Sequence, residues 1–150
     1  MTYYYPGIGG KPIILVCVKD LLSDNAWGGI QMLIDTGADS TCFPASFAKC
    51  FGHDNDHQNV EILPDAVHGI GGSSDAYLHS VQISLIHPSK STREKTVIAW
   101  TSPLKKVQFI KKMECKHGLI GMDIIQQWKE LRLEPVNRRS GNGVSIRITI

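Results

Sequence analysis

The sequence lacks a long apolar run and a strong charge of either sign. Its longest apolar run near the N-terminus, Ile13 to Val18, ends after six residues, which is too short for a membrane span or the core of a secretion signal. The net charge of +2 is too small to indicate a membrane or nucleic-acid partner, and we expect neither. The clustered lysines favour a solvated face of the protein. They are Lys105, Lys106, Lys111 and Lys112.

Cysteine is also scarce, and the 4 cysteines do not indicate a disulfide framework. A chain of 150 residues can bury a core without one, and without an export signal we expect free thiols. Cys50, His53 and His57, with Cys115 or His117, nevertheless offer the ligands that zinc prefers. Their spacing lacks a second clean pair, which favours a polar loop over a zinc site.

Short apolar segments between turns predict a mostly β domain, as a small closed β-barrel or folded sheet with one short C-terminal helix. Strands are predicted at residues 12–22, 30–34, 77–86 and 96–100. Apolar residues at helical spacing predict the helix over Met122 to Leu131, and strict alternation predicts a half-buried strand over Val144 to Ile150. We divide the chain into a flexible N-terminal arm (1–11), a folded domain (12–135), and a linker with a C-terminal strand (136–150).

The most informative string runs from Leu33 to Thr41 and contains Asp35-Thr36-Gly37. The apolar residues before Asp35 would hold its carboxylate rigidly and partly out of water. Gly37 would let the backbone turn sharply or let another chain approach closely. The same string also fits a strand that ends in an ordinary Asp turn. Taken alone, it leaves both interpretations open.

Two further segments favour a catalytic interpretation. The glycines of His68 to Gly72 predict a mobile hairpin tip. Leu119 and Ile120 precede Gly121, which opens the predicted helix. In this order the three motifs resemble the retropepsin family, the retroviral-type aspartic proteases, over about Pro12 to Leu133.

The chemistry of an aspartic protease requires two carboxyl groups that share one proton. The ionised carboxylate takes a proton from water while the protonated one donates to the carbonyl oxygen of the scissile bond. This sequence contains one Asp-Thr-Gly and no Asp-Ser-Gly, so a single chain supplies only Asp35. We therefore predict a two-fold homodimer in which a second copy supplies the other carboxyl group.

The resemblance implies an endopeptidase without metal or cofactor that cleaves a peptide or a polyprotein. Its expected location is the cytoplasm, or a viral or retroelement particle. Thr36 and Gly37 would support the catalytic loop, and the C-terminal strand would join the dimer interface. The implied substrate-binding residues are Gly37, Ala38, Asp39, Gly69, Ile70, Gly71, Leu119 and Ile120.

The sequence departs from the family pattern after Gly121. Many viral members have an arginine there that braces the loop aspartate, whereas this chain has Met122, so Asp39 lacks its usual partner. A different class of function also stays open, namely a catalytically silent retropepsin-fold module that dimerises and binds a peptide. Replacing Asp35 with asparagine separates the two, because a protease loses cleavage while a binding module keeps its ligand.

Overall fold

The computed structural model describes residues 1–20, 26–52, 60–69, 72–138 and 141–150, and within them β-structure predominates. The strands are β1 (Thr2–Pro6), β2 (Ile13–Asp20), β3 (Ala26–Ile34), β4 (Cys42–Pro44), β5 (Glu61–Gly69), β6 (Gly72–Ile86), β7 (Ile98–Thr101), β8 (Lys105–Ile110), β9 (Gly118–Ile120), β10 (Glu130–Arg138) and β11 (Gly141–Thr149). A 3-10 helix (Ala45–Phe51) and the α-helix α1 (Met122–Ile125) complete the described elements. No helix among these residues is long and apolar enough to cross a membrane.

Six strands close into a barrel. They pair in the order β2-β3-β9-β4-β8-β6, and β6 pairs back onto β2. Alternate side chains point inward, and Phe43, Phe51 and Phe109 pack ring against ring inside. The predicted closed β-barrel is confirmed. Outside the ring, β5 extends β6 as a hairpin.

The ends of the chain form a separate three-stranded sheet in the order β1-β11-β10. Tyr3 and Tyr5 lie opposite Ile148 and Ile146 on β11, and all four side chains are buried in the core shared with the barrel. The alternation at the C-terminus thus makes a strand with one buried face, as predicted. We call these three strands the terminal sheet.

Two segments expected to be irregular belong to this terminal sheet. Residues 2–6, within the arm predicted to be flexible, form β1, and residues 136–138, predicted as linker, form the end of β10. The physical reason is that β11 exposes unpaired backbone groups at both edges unless a strand covers each. The domain limits at residues 11 and 135 themselves remain a prediction.

The helix predicted over Met122 to Leu131 is wrong in length. Helix α1 ends at Ile125, and β10 begins at Glu130. Leu131 pairs with Ile148 in the terminal sheet, so its backbone is committed to sheet hydrogen bonds rather than helical ones. The apolar spacing arose because a one-turn helix and a strand pack against the same core.

Candidate active site

The segment between β3 and β4, residues 35–41, is called the Asp35 loop, and it starts where two parallel strands end. β3 and β9 run side by side with Ile34 opposite Ile120, and the Asp35 N–H donates to the Ile120 carbonyl at 3.0 Å. On the other side of the strand, the Ile34 N–H donates to the Pro12 carbonyl at 2.9 Å. Because the backbone is held from both sides up to Asp35, the carboxylate stands on a rigid base.

The loop itself is a tight turn around the Asp35 carboxylate. The Gly37 N–H donates to Asp35 Oδ1 at 2.9 Å, and the Ala38 N–H donates to the Asp35 carbonyl at 3.2 Å. A Cβ on Gly37 would lie 3.2 Å from Asp35 Oδ1, so glycine keeps the approach to the carboxylate open. Asp35 is half-buried, whereas Thr36, Gly37 and Asp39 are exposed. The carboxylate is therefore fixed in position but accessible.

The start of α1 holds the second half of the loop. The Met122 N–H donates to the Ala38 carbonyl at 2.8 Å, and the Asp123 N–H donates to the Asp39 carbonyl at 3.1 Å. These are helix N-terminal donors that have no partner within the helix itself. Gly121 makes the approach feasible, because a Cβ there would lie only 2.5 Å from the Ser40 carbonyl carbon.

A network of polar side chains lies beneath the loop, and the sequence motifs do not predict it. The N–H and Oγ1 of Thr41 donate to Asp123 Oδ1 at 2.9 and 2.7 Å, and the Gly121 N–H donates to Thr41 Oγ1 at 3.0 Å. Lys105 Nζ donates to the Asp123 carbonyl at 2.7 Å. Thr41 ends the Leu33–Thr41 string and Asp123 lies two residues after Gly121, so both could have been suspected. No local pattern marks Lys105, for which the sequence predicts a solvated face.

Strands β5 and β6 pair as a hairpin, as predicted, and the mobility predicted for its tip remains a prediction. Gly69 lies opposite Gly72 at the end of the ladder, while Ile70 and Gly71 lie outside the described residues. Nearer the base, the pairing shifts register between Leu63 and Val67, and Asp65 adopts a φ of 50°. The predicted roles of Gly69, Ile70 and Gly71 in substrate binding remain predictions.

Leu119 and Ile120 differ in their placement. Ile120 has 0% of its surface exposed in the single chain and belongs to the main core, where it supports the loop from inside; its predicted role in substrate binding remains a prediction. Leu119 is half-buried and packs on a second apolar cluster, which we call the apolar wall. Its members are Cys42, Ala76, Ile110, Ala66, Val67, Met113 and Leu119.

The apolar wall lies between the Asp35 loop and the base of the β5–β6 hairpin. It contains the thiol of Cys42. Burial first, and then the charges of Cys115, Asp123 and Asp35, raise the pKa of Cys42 to about 12. The thiol is therefore protonated at neutral pH and is a poor nucleophile. Burial also raises the pKa of Cys115.

A metal centre finds no support among the described residues. Across the ranges that the structure covers, no group of three or more His, Cys, Asp or Glu side chains could hold a metal ion. His53 and His57 of the zinc hypothesis lie outside those ranges. The exposed Cys50 and half-buried Cys115 are free thiols.

Comparison with known proteins agrees with this geometry. The profile of the family described as retroviral aspartyl protease matches residues 9–133, and no curated protein matches significantly. A retropepsin-like aspartic protease from Rickettsia conorii is similar over 100% of this chain and 97% of its own, with a TM-score of 0.52 and 14% identity. The EIAV protease complexed with the inhibitor HBY-793 is similar over 81% of this chain and 90% of its own, with a TM-score of 0.48 and 15% identity.

At 14% identity, the likeness to the Rickettsia protein is a likeness of fold. The family match carries more weight, because it spans most of the chain and includes the Asp35 loop, the β5–β6 hairpin and the Leu119–Gly121 segment. This chain therefore belongs to the retroviral aspartyl protease family.

Proposed function

We propose that this chain is one half of a homodimeric aspartic endopeptidase, in which Asp35 from each of two copies acts on one peptide bond. The ionised carboxylate removes a proton from a water molecule, which attacks the carbonyl carbon, while the protonated carboxyl group donates to the carbonyl oxygen. The observation that carries the proposal is the Asp35 carboxylate, which is held rigidly on a largely exposed turn.

The need for a second copy follows from the presence of one catalytic motif in the chain. The sequence has one Asp-Thr-Gly, and a dyad requires two carboxyl groups close enough to share a proton. Thr36, Gly37 and Asp39, which surround Asp35, are exposed in the single chain. A second loop related by a two-fold axis would cover them with the same residues, so that Thr36 can brace the two loops against each other.

We propose that the outer strand of the terminal sheet is part of the contact between copies. β10 lies at one edge of that sheet. Leu133 pairs with the fully buried Ile146, yet its own side chain is 40% exposed. Pro135, the next residue on the same face of β10, is exposed as well. The apolar face of the sheet therefore extends past the core of its own chain, and a second copy could cover this extension.

The proposed substrates are peptides or polyprotein segments with apolar residues beside the cleaved bond. The apolar wall supports this choice, because it lies between the Asp35 loop and the hairpin base and offers Leu119 and Val67 as half-buried contacts. An extended peptide held there would gain about 25 cal/mol for each Å² of apolar surface that it buries.

A dilution experiment tests the proposed function. If two weakly held copies build the site, specific activity against a peptide falls as the protein is diluted, because monomers carry half a site. We expect activity to follow the dimer fraction measured in parallel by analytical ultracentrifugation. Activity per chain that stays constant while the protein becomes monomeric would refute a shared site.

Leu133 provides a variant for the same assay. Leu133→Glu places a charge on the exposed apolar edge of β10, so we expect the concentration for half-maximal activity to rise at least about tenfold, equivalent to about 1.4 kcal/mol of association energy. Leu15→Glu is the matched control, since Leu15 is 41% exposed on β2 of the barrel. An equal rise for both variants, or none for Leu133→Glu, contradicts the proposed contact.

A further inference from the structure

Lys105, the first residue of β8, reaches across to the segment that holds the Asp35 loop. Its Nζ donates to the Asp123 carbonyl at 2.7 Å and lies 3.5 Å from Asp123 Oδ2. The two side chains are only 26% and 24% exposed. Such a partly buried, charge-assisted contact is stronger than an ion pair on an open surface.

Asp123 cannot be held in place by its own helix. α1 is four residues long, and a helix of one turn has little stability by itself. The Asp123 carbonyl instead accepts hydrogen bonds from two side chains, Lys105 Nζ and Gln127 Nε2, each at 2.7 Å. These donors satisfy a carbonyl near the helix end that would otherwise lack a partner.

Asp123 in turn restrains the Asp35 loop through two sets of hydrogen bonds. Its N–H donates to the Asp39 carbonyl at 3.1 Å, which fixes the exposed half of the loop. Its Oδ1 accepts the N–H and Oγ1 of Thr41, which fixes the point where the loop enters β4. A displacement of Asp123 would therefore move Asp39 and Thr41, which lie in the second half of the segment that follows Asp35.

We infer that Lys105 is a positioning residue for the peptide hydrolysis proposed above. By anchoring Asp123, it fixes the position of the Asp35 loop. The loop position in turn sets the distance between the two Asp35 carboxyl groups in the dimer. The inference rests on the proposed function. It also explains how the loop is braced although Met122 occupies the position of the arginine common in viral members.

The chain supplies variants that isolate this role. Lys105→Met keeps the aliphatic stem but removes the charge and the donor, while Lys105→Arg keeps both. Lys106→Met is the matched control. Lys106 is the next residue and forms an ion pair with Glu61, in which the Lys106 side chain is 66% exposed and the Glu61 side chain 53% exposed. Asp123→Asn tests the same link from the other end.

The experiment measures kcat, KM and the pH range of activity on one peptide, at protein concentrations where each variant is fully dimeric. For Lys105→Met we expect kcat to fall about ten- to a hundredfold with little change in KM, since small misplacements of reacting groups have effects of this size. The active pH range should narrow, because carboxyl groups held further apart share their proton less strongly. Lys105→Arg should recover most of kcat, and Lys106→Met should match the unaltered protein.

The outcomes separate this inference from the proposed function. If the unaltered protein cleaves the peptide but Lys105→Met has the same kcat and pH range, the positioning role is wrong and the protease assignment stands. A loss that Lys105→Arg does not reverse, or that Lys106→Met shares, also overturns it. If Lys105→Met does not fold, Asp123→Asn must show the kcat loss and narrowed pH range for the inference to hold. Absence of cleavage by the unaltered protein refutes the proposed function itself.

Discussion

We expect that replacing Asp35 with asparagine abolishes the proposed peptide hydrolysis and leaves the fold unchanged. Asparagine has nearly the same shape, and its side-chain oxygen can still accept the hydrogen bond that Gly37 donates at 2.9 Å. It cannot take a proton from water or return one to the substrate. Because the change removes both carboxyl groups of a homodimeric dyad, we expect kcat to fall at least about 10³-fold.

The Asp35→Asn measurement compares kcat/KM, peptide binding and thermal unfolding with those of the unaltered protein. Glu94→Gln, the same acid-to-amide change at an exposed position, should retain full activity. Cleavage by Asp35→Asn at even a tenth of the normal rate would contradict the mechanism. If neither protein cleaves but both bind the same peptide equally well, the chain is the silent binding module instead.

Replacing Gly121 with alanine should damage both the fold and the activity. The added Cβ would lie 2.5 and 2.7 Å from the carbonyl carbon and oxygen of Ser40, and 2.9 Å from the Ala38 carbonyl oxygen. These are backbone atoms of the Asp35 loop, so the clash cannot be relieved by rotating a side chain. We expect a loss of about 1–3 kcal/mol in the free energy of unfolding and about a hundredfold loss of kcat/KM.

Urea unfolding and peptide cleavage measure the two effects of Gly121→Ala. Gly28→Ala is the matched control in β3, where the one contact of the added Cβ within the described part of the chain is with the Cys17 Sγ at 3.3 Å, an atom on a side chain that can rotate. That control should remain within about 0.5 kcal/mol of the unaltered protein. Full stability and activity in Gly121→Ala would show that the loop does not depend on this close approach.

The sequence predicts the parts of the fold that local patterns determine. The apolar residues before Asp35 do form a strand that ends at the carboxylate, and the alternation of Val144 to Ile150 does mark a strand with one buried face. The predicted helix is too long because the spacing of apolar residues indicates which residues face the core. It does not indicate how their backbone groups are hydrogen-bonded. Pairing with β11 decided the conformation of Leu131.

The candidate site shows the same division between local and long-range information. Asp35 and Gly37 are recognisable because their roles depend on neighbours in the string. Lys105 contacts Asp123, which lies 18 residues away in sequence, and Ile120 is buried by strands from across the barrel. Contacts of that kind are set by the closure of the barrel, so no local pattern could have assigned Lys105 to the loop or predicted the complete burial of Ile120.

The central claim is that two copies of one chain share a single catalytic dyad, and subunit mixing tests it most directly. Unaltered protein and Asp35→Asn are combined at constant total concentration, allowed to exchange, and assayed for peptide cleavage. If each site needs a carboxyl group from both copies, activity follows the square of the unaltered fraction and falls to about a quarter in an equal mixture. Activity that falls in direct proportion, to about half, would mean that one chain carries a complete site, and would contradict the account.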